Sequence, residues 1–184
     1  MLVHGQRLPV CTTRKNRGCY DCESTRHHDH SSTKRTVWDS NRDHYTYLYG
    51  SEQSPDTTLS VGAILPLILA RTPKDRIASV MERYFTDVKH FWRPSPVPSV
   101  SASESSYDAE SEAMIRRGPI FMNLNWLLTR GFKTHGYTEE AKRISERSKE
   151  AAFKDFRKFY SPETGSGIRG AKFGWATAAV EIDA

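Results

Sequence analysis

The sequence predicts an all-α domain beginning near residue 37, and three observations carry that expectation. Apolar residues recur at helical spacing in three segments, around residues 77–85, 120–132 and 141–156. Clusters of Gly, Pro, Ser and Asp separate these segments. No stretch alternates apolar and polar residues for long enough to suggest a strand ladder.

Ahead of the domain lies a segment of different texture. Residues 1–35 carry net +4 of the overall +5, and the remaining residues are close to neutral at net +1. The positive balance therefore belongs to this arm and gives no reason to expect a nucleic-acid partner for the main body. The arm also holds all three cysteines and four of the seven histidines, but one aromatic residue, Tyr20. It cannot bury much surface by itself, so the expected division is an unpacked basic arm over residues 1–36 and a domain over 37–184. Cys19, Cys22, His27, His28 and His30 are ligand types that zinc accepts. Their spacing departs from that of a zinc finger and no apolar residues surround them, so no metal is assigned. The arm has no continuous apolar segment that would serve as a signal peptide, and residues 61–70 are too few to span a bilayer. A cytoplasmic protein without a membrane partner is expected.

Within the domain, Trp38, Tyr45, Tyr47, Leu48 and Tyr49 gather around a polar turn at residues 39–43. Residues 61–70 form an unbroken apolar run, read as a buried inner helix with Pro66 near its start. Thr72 as cap, Pro73 at the first position and Asp75 in the first turn predict a helix over 73–85, with Ile77, Val80, Met81, Tyr84 and Phe85 on one face. Pro94, Pro96 and Pro98 alternate, so residues 91–100 must be extended. Residues 101–113 read as a polar loop. Gly118 and Pro119 then open a helix with Ile120, Leu124, Leu127, Leu128 and Phe132 on one stripe. Gly136 breaks the chain, and Thr138 caps a second helix to complete a helical hairpin. Residues 161–167 are a turn-rich loop, and residues 173–180 read as a closely packed last helix.

Three collinear stretches carry a family resemblance: residues 92–100 (WRPSPVPSV), residues 117–128 (RGPIFMNLNWLL), and residues 160–165 (YSPETG) leading into 173–178 (FGWATA). In order and spacing they resemble the glycoside hydrolase family 63 group that includes mannosylglycerate and glucosylglycerate hydrolases. The resemblance spans residues 37–184. It implies an (α/α)6 barrel of the six-hairpin glycosidase type, here partial and truncated on its N-terminal side, and an ancestral reaction that hydrolyses an α-glycosidic bond with inversion. The implied partner is a small glycoside or oligosaccharide, and no cofactor is implied, because carboxylates and water carry this chemistry. An inverting enzyme needs a general acid on the leaving oxygen and a general base on the opposite face, with the carboxyls about 6.5 to 9.5 Å apart.

The resemblance also marks departures. The family's acid segment lies upstream of the matched region, where residues 1–35 show no likeness to it. The family's base is a Glu four residues before the proline of the Pro-x-Thr-Gly loop, and counting back from Pro162 puts Lys158 there. An ammonium donates hydrogen bonds and accepts none, so Lys158 cannot take a proton from water in that form. Asp155 or Glu163 could fill the role through a shifted register. The family's aromatic pair before Arg-Gly-Pro is replaced by Ile115 and Arg116, and Phe121 stands where a further aromatic is expected. Arg117, Phe121 and Trp175 are the candidate substrate contacts. For Trp126 and Trp175, packing alone explains the residue as readily as a cleft role.

Asp108 and Glu110 belong to a Ser-rich solvated loop and are not read as a catalytic pair. Length gives an independent objection to activity, because about five helices of ordinary size fit in such a chain and a full barrel cannot close. The expectation is a glycosidase-like chain without turnover that associates with a complementary or complete enzyme chain to cover its open faces. The alternative is a noncatalytic carbohydrate-binding or regulatory module.

Overall fold

Alternating prolines set the centre of this structure. In the computed structural model, which describes residues 37–113, 116–179 and 181, residues 94–100 run extended through the interior, with Val97, Pro98, Ser99 and Val100 buried. Without donors at the prolines this segment cannot join a regular ladder, so it makes isolated contacts on both sides. Val61 N donates to Ser99 O at 2.9 Å, Ser101 N to Leu59 O at 2.8 Å, and Ser99 N to Gly118 O at 3.1 Å. Pro98 bridges Ile120, which in turn bridges Tyr160, so four distant stretches meet in one irregular layer.

The chain enters through two short hairpins. Strands β1 (Trp38–Asp39) and β2 (His44–Tyr45) pair Trp38 with Tyr45, and β3 (Leu48–Tyr49) pairs with β4 (Ser54–Pro55). Asp39 closes the first turn by accepting from Asn41 N at 2.9 Å and Arg42 N at 3.2 Å. Asp43 takes the left-handed conformation at φ 56°, which Asp tolerates better than most residues. With a third hairpin near the C-terminus, these pairs are isolated two-stranded ribbons that leave the domain predominantly helical: strands of two or three residues are too short to leave a period in the sequence.

The apolar run is no continuous helix. It forms two single 3-10 turns, Val61–Ala63 and Leu65–Ile68. Pro66 lacks the N–H that an α-helix would bond to Gly62 O and disfavours helical geometry at Leu65, so the run is cut in the middle. Helix α1 covers Lys74–Val80 and continues as a π turn over Met81–Phe85. Thr72 does not cap it, because its hydroxyl donates to Pro66 O at 2.6 Å and ties the helix entry back to the 3-10 turn.

Helix α2 (Met122–Thr134) starts later than the Gly118-Pro119 pair suggests, because Ile120 is committed to its bridges. Helix α3 (Thr138–Lys154) follows after Gly136, whose φ of 87° makes the reversal. Thr138 is its first residue, with no side-chain cap. Together α2 and α3 form the expected hairpin. The main core joins Ile64, Leu67, Ile77, Phe85, Phe91, Leu128, Phe132 and Ile144, and Phe85 meets Phe132 edge-on at 4.4 Å between centroids. A second core joins Ile120, Met122, Ala151, Ala152, Tyr160, Ala176 and Ala179.

Asn125 locks these layers together. Buried on α2, it accepts from Val97 N at 3.3 Å and donates to Pro96 O at 2.9 Å and to Ser148 Oγ of α3 at 2.8 Å. A central chain poor in donors thus gains its polar partners from a side chain. The chain ends in strands β5 (Phe159–Tyr160) and β6 (Gly167–Arg169) around the loop of residues 161–166, then a 3-10 helix at Gly174–Ala179 in place of the expected α-helix.

Candidate functional site

Lys158 is positioned by its own backbone, whose N–H is shared between Arg169 O at 2.7 Å and Gly170 O at 3.0 Å across the β5–β6 end. A Cβ on Gly170 would stand 2.8 Å from Lys158 Cβ, so the close approach requires glycine there, as does its φ of 67°. The Lys158 ammonium lies 5.2 Å from the Phe159 ring centroid and 5.3 Å from that of Phe173. Both distances allow the ring quadrupole to attract the cation. Phe121, just ahead of α2, packs edge-on against Phe159 at 4.6 Å.

Lys158 and Phe121 line one small cavity of about 200 Å³ with Met122, Asn123, Phe173, Trp175 and Ala176. The structure therefore brings Lys158, Phe121 and Trp175 together, although they stand far apart in sequence. Trp175 is 65% exposed, while Ala176 and Ala179 turn into the second core. The small residues thus account for the packing of the last helix, and the indole is left at the cavity. Trp126, by contrast, lies partly buried against the second core, with Arg130 stacked 5.0 Å from its ring.

A larger cleft of about 660 Å³ adjoins and shares Phe121 and Asn123 with the cavity. Tyr47, Asp56, Ser99, Val100 and Arg116 also line it. Arg117 lines neither space: it is exposed, and its carbonyl accepts from Asp108 N at 2.6 Å. The neighbouring Arg116 lines the larger cleft. Asn123 and Asn125 are a comparable pair, two positions apart on α2, so one reaches the cleft and the other the interior. Nothing in the sequence distinguishes them. Tyr47 and Asp56 reach the site from the β3–β4 region, and no local motif announces either.

The shifted-register candidates for a base are both engaged elsewhere. Glu163 receives Arg93 Nε at 2.8 Å and Arg93 Nη2 at 2.7 Å, plus the Tyr107 hydroxyl at 2.6 Å. The hydrogen-bonded guanidinium is the main reason its pKa lies below the ordinary value, and Tyr107 adds to the effect. Burial, with the Glu163 hydrogen bond second, pushes the Tyr107 phenol well up. A carboxylate held this way is a weak base and a structural clamp. Asp155 pairs with Arg157 Nε. Neither acid lines the Lys158 cavity, and Asp56 is the one carboxylate among the residues lining the adjoining cleft. Asp56 Oδ1 accepts from Thr58 N at 2.9 Å.

Among the described residues no group of His, Cys, Asp and Glu could hold a metal ion, and no helix is long and apolar enough to cross a membrane. The cysteines and histidines of the arm, and Ile115, lie outside the described residues.

Comparison with known proteins places this geometry. The family model described as the mannosylglycerate hydrolase MGH1-like glycoside hydrolase domain matches residues 22–176. The mannosylglycerate hydrolase of Thermus thermophilus is 28% identical over 129 residues, 67% of this chain and 29% of that protein. That of Rubrobacter radiotolerans is 33% identical over 97 residues, 47% of this chain and 22% of its own length. The chain thus spans less than a third of the curated relatives it matches. Among solved structures, a GH63 mannosylglycerate hydrolase from Thermus thermophilus in complex with glucose superposes with a TM-score of 0.70 at 23% identity, over 82% of this chain and 37% of that one. The same enzyme with Tris and D-glycerate gives 0.71 at 22% identity, over 82% and 35%. Paired helices, the absence of a closed sheet among the described residues and this superposition identify the fold as part of a six-hairpin α/α toroid. The chain belongs to the mannosylglycerate hydrolase MGH1-like glycoside hydrolase family.

Proposed function

We propose that this chain descends from an inverting hydrolase of an α-linked glycoside of the mannosylglycerate or glucosylglycerate type and does not itself turn such substrates over. The observation that carries the reading is the Lys158 cavity, where an ammonium faces aromatic rings and no carboxylate is present. Inversion requires a base that accepts a proton from water on the face opposite the acid. In its charged form Lys158 has no acceptor to offer, and the two nearest acids in sequence are held by Arg157 and Arg93. Asp56 alone in the cleft supplies at most one of the two carboxyl roles.

A second reading, carbohydrate binding without chemistry, is supported by the aromatic lining. Phe121 and the exposed Trp175 offer ring faces to a sugar, with Asn123 and Arg116 as neighbouring donors. Arg117, exposed beside Arg116, remains a proposed contact. We also propose that the chain associates with a complementary or complete enzyme chain.

The test is release of free sugar from mannosylglycerate and glucosylglycerate by the full chain and by Lys158→Glu. Neither should release sugar. Turnover by the natural chain would overturn the proposal. Turnover by Lys158→Glu alone would show that the base is the one missing part and would refute the idea that the acid is also lost. Saturable sugar binding without turnover, weakened in Trp175→Ala and Phe121→Ala, would establish the binding role.

A further inference from the structure

Helix α3 presents a polar stripe of Arg143, Arg147, Glu150 and Lys154, each one turn from the next, beside the face that buries Ile144, Ser148, Ala151 and Ala152. The stripe borders a cleft of about 560 Å³ whose other walls come from the segment around Trp92–Ser95 and the turn at Glu163–Gly165. That volume is of the size that holds a small organic ligand. It is separate from the Lys158 cavity and shares no lining residue with it.

Charge in this cleft is unevenly matched. Arg93 is closed on Glu163, and Arg147 on Glu150 at 2.7 Å. Arg143 and Lys154 have no carboxylate within ion-pair distance among the described residues. The Arg143 guanidinium lies over Trp92, with its carbon 4.8 Å from the ring centroid, and its Nε is buried with no hydrogen-bond partner. Buried donors without partners are rare in folded proteins, because each forfeits hydration without a return. Packing on Trp92 restrains the guanidinium while leaving its terminal nitrogens for a planar or tetrahedral oxyanion. Ser95 adds a hydroxyl to the same wall. Glu139, Glu140 and Glu146 line the smaller space on the other side of Arg143, and none of them pairs with it.

We infer that this cleft is a binding site for a small oxyanion-bearing metabolite, of the phosphate monoester or carboxylate class, whose oxyanion is held by Arg143 and whose charge is further complemented by Lys154, about three helical turns away along the same cleft. The site is independent of sugar recognition in the Lys158 cavity and does not rest on it.

The probes are inorganic phosphate and glucose 6-phosphate added to the full chain, with sodium chloride at matched ionic strength as the control. Binding is read by calorimetry and by the rise in unfolding temperature. Saturable binding of either probe is expected, tenfold or more weaker in Arg143→Gln and several-fold weaker in Lys154→Gln, following the strength of charge-assisted contacts. Arg143→Lys keeps the charge without the planar fork and should fall between, which separates loss of the site from loss of the fold. An equal response to chloride, unchanged affinity in Arg143→Gln, or binding of a polyanion such as heparin when neither small probe binds would overturn the inference.

Discussion

Replacing Glu163 by Gln tests whether this acid is a clamp or a latent base. The carboxylate accepts three hydrogen bonds, two from Arg93 and one from Tyr107, and its side chain is 31% exposed. Bonds to a charged group contribute about 1.5–3 kcal/mol each in a dry setting. Partial exposure reduces that figure, and Gln keeps one acceptor oxygen. The net loss at neutral pH should be about 2 kcal/mol, or about 4–8 °C in unfolding temperature for a domain of this size. The pH dependence gives the sharper test. Arg93 holds the folded-state pKa of Glu163 below its ordinary value of 4.5. The stabilisation is therefore fully present above that value and disappears as pH falls through the lower folded value. The gap between parent and Glu163→Gln, measured by urea unfolding, should be full at pH 7 and should close in the acid range below 4.5. A gap of the same size in strong acid, or no gap at pH 7, would refute the clamp and restore Glu163 as a candidate base.

Other expectations follow from packing and from the site. Asn125→Leu strands Val97 N, Pro96 O and the Ser148 hydroxyl in the interior, and should cost about 3–5 kcal/mol by denaturant unfolding; a loss below about 1 kcal/mol would mean that the central segment finds other partners. Gly131→Ala should destabilise by about 2–3 kcal/mol although alanine favours helix, because its Cβ would stand 2.6 Å from Ile68 Cα and 3.0 Å from Leu67 O. A neutral or stabilising result in thermal melts would show that α2 can move away from the 3-10 turn. Tyr107→Phe removes one donor to Glu163 and should cost about 1 kcal/mol at neutral pH. In the Glu163→Gln background the same change should cost less, which a double-mutant cycle reads directly.

Sequence alone determined the helical hairpin, because Leu128, Phe132, Ala141 and Ile144 form a periodic face and Gly136 supplies a break that needs a positive φ. It also determined the extended run through Pro94, Pro96 and Pro98, since a missing donor acts locally, and the family, since collinear motifs do not depend on contacts. The tertiary structure decided what local propensity cannot reach. Residues 61–70 are apolar enough for a helix, yet Pro66 and the pull of Thr72 on its carbonyl shorten them to 3-10 turns. Ile120 lies on the helical stripe by spacing, but its backbone N–H and carbonyl both bond to Tyr160 while Pro98 sits on its other side, which moved the helix start to Met122.

The site divided in the same way. Lys158, Phe121 and Trp175 were legible as motif positions, and their meeting in one cavity is the work of the β5–β6 hairpin and the last 3-10 turn. Which of Arg116 and Arg117 faces the cleft, which of Asn123 and Asn125 is buried, and where the Glu163 carboxylate spends its charge all depend on neighbours distant in the chain. The order of residues settles which groups are present, whereas direction and pairing arise only when long-range contacts close around them.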